Sequence, residues 1–160
     1  KIERLGPVNP LAMREVEGEH LSDDLLGRLA AMEGSLDVIR ERAPERLRAE
    51  GDRLREAIRE LSQQEDVDDE RMAREVAYLA EKWDINEEIV RFGAHLQAFR
   101  DTLAERGGEP VGKRLGFLVQ EMHREANTIA SKANDVEMSH ASVAIREELE
   151  RLREQLENVE

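Results

Sequence analysis

Apolar residues recur at three- and four-residue steps through nearly the whole chain, and no stretch alternates in the manner of a strand. Leu25, Leu29, Met32, Leu36, Ile39, Ala43, Leu47, Leu54, Ile58 and Leu61 trace a heptad-like stripe and predict a first helix over about Ser22 to Gln63. Ser22 with Asp23 and Asp24 suits its N-cap and acidic first turn. Pro44 falls inside this stripe, where the lost donor and the ring's clash with the preceding turn predict a kink or break. A turn at Asp66–Glu70 precedes a second helix carrying Met72, Val76, Leu79 and Trp83, with Trp83 expected as a core anchor. Asp84-x-x-Glu87 reads as a capping box restarting that helix, which then runs through Ile89, Phe92, Leu96, Phe99 and Leu103. Arg106-Gly107-Gly108-Glu109-Pro110 is the clearest stop. The next stripe is Leu115, Leu118, Met122, Ala126, Ile129 and Ala133, and the last is Met138, Ala141, Ile145, Leu149, Leu152, Leu156 and Val159. The expected fold class is all-α, with long antiparallel helices packed as hairpins or a bundle.

Composition agrees with that pattern. Charged residues make up 38% and aromatics 3% of 160 residues, which suits amphipathic helices and disfavours a thick sandwich or barrel. With no cysteine there is no disulfide framework, thiol nucleophile or Cys-based zinc site. No apolar run approaches the ~20 residues of a membrane span, so a cytoplasmic protein without a membrane partner is expected. The net charge of −13 opposes nucleic-acid binding over a broad face. Any such binding must be local, or bridged by metal.

The segment Gly112–Asn134 departs from an ordinary solvated helix. Arg114, Gln120, Glu121, Arg124, Glu125, Asn127, Ser131 and Lys132 crowd its polar side. Guanidinium and amide groups beside paired carboxylates suit phosphate, metal or both. Upstream, Asp84, Glu88, Arg91 and His95 follow at steps of four, three and four on one face. Such carboxylates and an imidazole could ligate a divalent ion or move protons. Acidic helix starts and ladders of i,i+4 ion pairs produce the same spacings for purely structural reasons. His123 and His140 read as surface residues.

The segment GKRLGFLVQEMHREANTIASKAN resembles the C-terminal signature of the YicC/YloC family of bacterial endoribonucleases. Asp84-Ile85-Asn86-Glu87-Glu88, followed by Arg91 and His95, is similar to the family's D-[IV]-x-E-E-x-x-R-x-x-x-H pattern, and Arg146–Glu160 looks like its C-terminus. Two positions depart from the pattern: His123 stands where the family usually has asparagine, and Gly116 where it has aspartate. The resemblance implies a metal-dependent endoribonuclease acting on single-stranded RNA, using Mn2+ or Mg2+, and assembled as a homo-oligomer such as a hexamer. It also implies that residues 1–20 are a connector at the fringe of an N-terminal α/β domain. Residues 21–66 are then a linking helical arm, and residues 67–160 a helical domain carrying the signature. In that scheme His95, Glu88, Glu121 and Arg124 are catalytic. Arg91, Lys113, Arg114, Gln120, Asn127 and Lys132 bind RNA, and Glu87, Glu88, Glu121 and Glu125 hold the metal. The competing expectation is a non-catalytic helical module for oligomerisation or for delivering RNA to other ribonucleases.

Overall fold

Each of the expected stripes forms a helix, and within the bundle each buries the face that carries it. The computed structural model describes residues 10–62, 68–105 and 111–158, with side chains from Glu17 onward. Five helices make up the described residues: α1 (Pro10–Leu61), α2 (Asp69–Trp83), α3 (Asn86–Ala104), α4 (Val111–Lys132) and α5 (Val136–Glu157). No strand occurs among them.

The N-terminal part of α1 joins α3, α4 and α5 in a four-helix bundle. Around it α1 packs on α3, α3 on α4, α4 on α5, and α5 back on α1. Cross-helix pairs set the directions. Arg28 meets Glu148 while Arg42 meets Asp135, so α1 and α5 are antiparallel. The pairs of α3 with α4 run the same way. Leu29, Met32, Leu36 and Ile39 of α1 interlock with Phe92, Leu96 and Phe99, with Met122 and Ile129, and with Met138, Ile145 and Leu149. At ~1.5 Å per residue α1 is roughly 78 Å long, more than twice any of its partners. Its C-terminal part therefore runs beyond the bundle, where α2 packs on it through Met72 and Val76. Leu54 and Ile58 are only half-buried on this arm and Leu61 is exposed.

Several expectations change. Residues 10–20, read as connector, are helical. The helix passes through Pro44 without a break. Ile39 and Arg46, on either side of Pro44, are both buried, so packing holds the helix across one missing hydrogen bond. The restart at Asp84 is not a capping box: Asp84 caps the end of α2, and Ile85, with no side-chain cap, precedes α3. Asp84 Oδ1 accepts from Asn86 N at 2.9 Å, while Asp84 N already bonds the Ala80 carbonyl and Glu87 turns to Arg91. Trp83 ends α2 half-buried and lies outside the main core. The Arg106–Pro110 stop lies outside the described residues, though α3 and α4 end and begin on either side of it.

A polar clasp on α1 closes the bundle's lower end. Arg42, Arg46 and Glu50 are one turn apart on one line of the helix. Arg42 binds Asp135, the N-cap of α5, through two hydrogen bonds of 2.8 and 2.6 Å. Arg46 donates to the Trp83 and Lys132 carbonyls, both at 2.7 Å, and so caps α2 and α4 together. Glu50 accepts from Asn134 at 3.1 Å. This clasp sets the level of Lys132, which opens the functional face.

Candidate nucleic-acid interface

Two ion pairs with buried carboxylates join α3 to α4. Lys132 Nζ donates to Glu88 Oε1 at 2.9 Å and to the Asp84 carbonyl at 3.1 Å. One turn along, Arg91 Nε donates to Glu125 Oε1 at 2.8 Å, and its Nη1 donates to Glu87 Oε2 at 3.3 Å. Glu88 and Glu125 are 6% and 5% exposed, whereas the Glu87 side chain is 83% exposed. The pairs set an antiparallel register in which His95, one turn beyond Arg91, lies level with Glu121, one turn beyond Glu125. Both are half-buried. The seam thus reads Lys132–Glu88, Glu125–Arg91–Glu87, then Glu121 level with His95.

The remaining expected residues do not join this seam. At 100° per residue, α4 presents three lines outside its core. Glu121, Glu125 and Lys132 face α3. Gln120, His123 and Asn127 border α5 and line grooves there. Arg124 stands on the crest between them, 74% exposed, with only a loose 4.0 Å contact to Glu121. Arg114 is about 16 Å from Glu125 along the helix. There it chelates Glu105 at 2.5 and 3.3 Å, which holds the Glu105 carboxyl below its ordinary range. Lys113 is exposed at the same end. A single cluster built from all of these residues is therefore not what the fold makes.

Residues 39–160 match the family described as "Endoribonuclease YicC-like, C-terminal". The chain belongs to this family. It is similar to the "Probable endoribonuclease YicC" of Clostridioides difficile strain 630, with 36% identity over 149 residues, covering 92% of this chain and 50% of that protein. It is also similar to the "Probable endoribonuclease YicC" of Haemophilus influenzae, with 33% identity over 150 residues, covering 94% of this chain and 51% of that protein. The chain spans about half the length of these relatives.

Within this YicC-like chain the expected metal ligands Glu87, Glu88, Glu121 and Glu125 do not form a ready-made ligand set. Among the described residues no three His, Asp or Glu side chains converge as a metal would need. The physical reason is visible at each buried carboxylate, since Lys132 already neutralises Glu88 and Arg91 neutralises Glu125. The residues as they stand do not fit a resident ion.

His123 corrects the surface reading. Its side chain is 23% exposed and its Nε2 lies 3.4 Å from Glu150 Oε1, off the line of a hydrogen bond, so that nitrogen is buried without a partner. Burial pushes the imidazole below its ordinary range, against the pull of Glu150. Arg42 and Arg46 of the clasp were missed altogether, as were Arg146, Glu150 and Arg153, which line the α4–α5 grooves with His123. Charged residues on amphipathic helices look alike in sequence, and only their neighbours distinguish them. No described helix is long and apolar enough to cross a membrane.

Proposed function

We propose that the protein containing this chain is a divalent-metal-dependent endoribonuclease that cleaves single-stranded RNA in the cytoplasm, with the α3–α4 seam contributing to its active site. The observation that carries this reading is the pairing of Glu88 with Lys132 and of Arg91 with Glu125, directly beside His95 and Glu121. Buried carboxylates hold the ammonium and one edge of the guanidinium in place, while Arg91 stays half exposed. Nε and Nη1 are taken by Glu125 and the exposed Glu87, which leaves Nη2 to meet a phosphate, and Arg124 on the crest can follow the same backbone. His95 would act as general acid or base at the ribose hydroxyl or the leaving oxygen, with Glu121 orienting it.

The seam carries four carboxylates, Glu87, Glu88, Glu121 and Glu125, against two cations, Arg91 and Lys132. A phosphodiester would meet net repulsion there, which Mn2+ or Mg2+ would reverse. The seam's paired carboxylates do not fit a resident ion, so in this reading the ion would be held by ligands beyond the described residues, RNA phosphates among them. Assembly as a homo-oligomer, such as a hexamer, belongs to the same proposal, and the incompletely covered arm around Leu54, Ile58 and Leu61 supports it.

The test uses full-length protein, labelled single-stranded RNA and a titration of Mn2+ or Mg2+. His95→Ala should reduce cleavage by about two orders of magnitude or more, and Glu121→Gln should also reduce it, with helical content unchanged. Cleavage unaffected by either variant would favour the second reading, a non-catalytic oligomerisation or RNA-adaptor module. The neutralised state of Glu88 and Glu125 is the observation that favours that alternative.

A further inference from the structure

The α4–α5 groove has features that the α3–α4 seam does not use. It encloses about 540 Å³ near the start of α4, and Gly112 and Gly116 form part of its wall. A Cβ built on Gly116 meets no atom within 4 Å, so no protein group fills the space beside it. Phe117 borders the same space and is 60% exposed. Leaving a phenylalanine ring in water forgoes most of the ~1.5–3 kcal/mol that burying it would give. One turn on, the groove offers the exposed Gln120 amide, with the half-buried His123 ring forming the wall beside it. Lys113, at the mouth, has no ion pair among the described residues.

We propose that this groove is a nucleotide subsite for single-stranded RNA, in which one unpaired base stacks on Phe117 over Gly116. The proposal rests on the RNA reading above and adds to it a place and a residue. An unpaired base requires a π-face, a flat open space, and polar groups for its edge, with a cation nearby for its phosphate. Phe117, Gly116, Gln120 and Lys113 supply these in turn. Burial pushes the His123 imidazole below its ordinary range, which favours an uncharged wall beside the base rather than a second cation.

A strip along α4 that joins the groove's edge to the crest also favours a polyanion. Lys113, Phe117, Gln120, Arg124 and Asn127 follow at steps of four, three, four and three, and none is acidic in a chain of net charge −13. That strip is roughly 21 Å long, enough for several nucleotides. A base inside a duplex could not reach Phe117, so the preference is for single strands.

The experiment measures fluorescence anisotropy of full-length protein with a short labelled single-stranded RNA, and with an abasic ribose-phosphate oligomer of the same length and charge. Phe117→Ala should weaken RNA binding about ten-fold, the loss of one base stack, and leave the abasic oligomer unchanged. Phe117→Trp should restore RNA binding. Gly116→Leu, whose Cβ enters empty space on a helix that tolerates leucine, should reproduce the loss by blocking the groove. RNA binding insensitive to Phe117→Ala and Gly116→Leu would overturn the subsite alone. So would equal losses on both oligomers, or a Phe117→Ala protein that assembles into smaller particles by light scattering, which would make Phe117 a contact between copies. Wild-type protein that binds neither oligomer would overturn the RNA reading and the subsite with it.

Discussion

Replacing Arg46 by methionine should loosen two helix ends at once. The guanidinium is 6% exposed and donates at 2.7 Å to the carbonyls of Trp83 and Lys132, the last residues of α2 and α4. Hydrogen bonds from a charged donor contribute about 1.5–3 kcal/mol each, so the two together contribute roughly 3–6 kcal/mol. Burial of the charge opposes this. It pushes the Arg46 pKa down against the attraction of Glu50, and Nε has no partner. Removing a buried ion in favour of an apolar side chain of similar volume can recover 1–4 kcal/mol, as a rough range from other buried pairs. Here the two carbonyls remain, and their residues are only half-buried, so water replaces part of what they lose. The expected net loss is about 2–3 kcal/mol. Urea unfolding followed by far-ultraviolet circular dichroism would read this as a midpoint lower by roughly 1 M. Hydrogen exchange adds a local signature. Since α2 packs chiefly on α1, amides near Val76–Trp83 should lose protection before those of Phe92 or Ile145. An Arg46→Met protein as stable as the wild type would show that desolvation cancels the two bonds, and the clasp would then be a matter of register alone.

Other perturbations have equally definite outcomes. Pro44→Ala restores a donor in a helix that is already continuous and should stabilise the protein by about 1–3 kcal/mol in the same urea assay; a loss would mean that the ring's packing matters more than the hydrogen bond. The Arg42 guanidinium first, and the Met138 N–H second, hold the Asp135 carboxyl at about 2 against an ordinary 3.8. A depressed carboxyl stabilises the fold above its unfolded pKa. Asp135→Asn should therefore trail the wild type by a constant margin above about pH 4, with the gap closing as pH falls towards 2; a gap that widens on acidification would contradict the pairing. A double-mutant cycle with Arg91→Ala and Glu125→Ala should give a coupling of about 1 kcal/mol, discounted because Arg91 is half exposed; strictly additive losses would remove the seam's central contact.

Local pattern alone determined the helices, the stripes that the bundle buries and the fold class. A three-to-four-residue period is a property of a single helix and needs no partner. For the same reason sequence could separate the lines of α4, since Gln120 and Asn127 lie roughly 100–160° around the helix from Glu121 and Glu125. Which neighbour each line would face depended on long-range packing. Only the fold placed Glu125 against Arg91 and Glu88 against Lys132, turning expected metal ligands into paired carboxylates. Only the fold divided one expected site into a charged seam and an open groove. Pro44 shows the same limit from the other side, because its local penalty was legible and the packing of Ile39 and Arg46 that outweighs it was not. Arg46 carried no signal at all. On an amphipathic helix an arginine that caps two other helices differs from a solvated one only by what lies across from it, and tertiary structure alone supplies that.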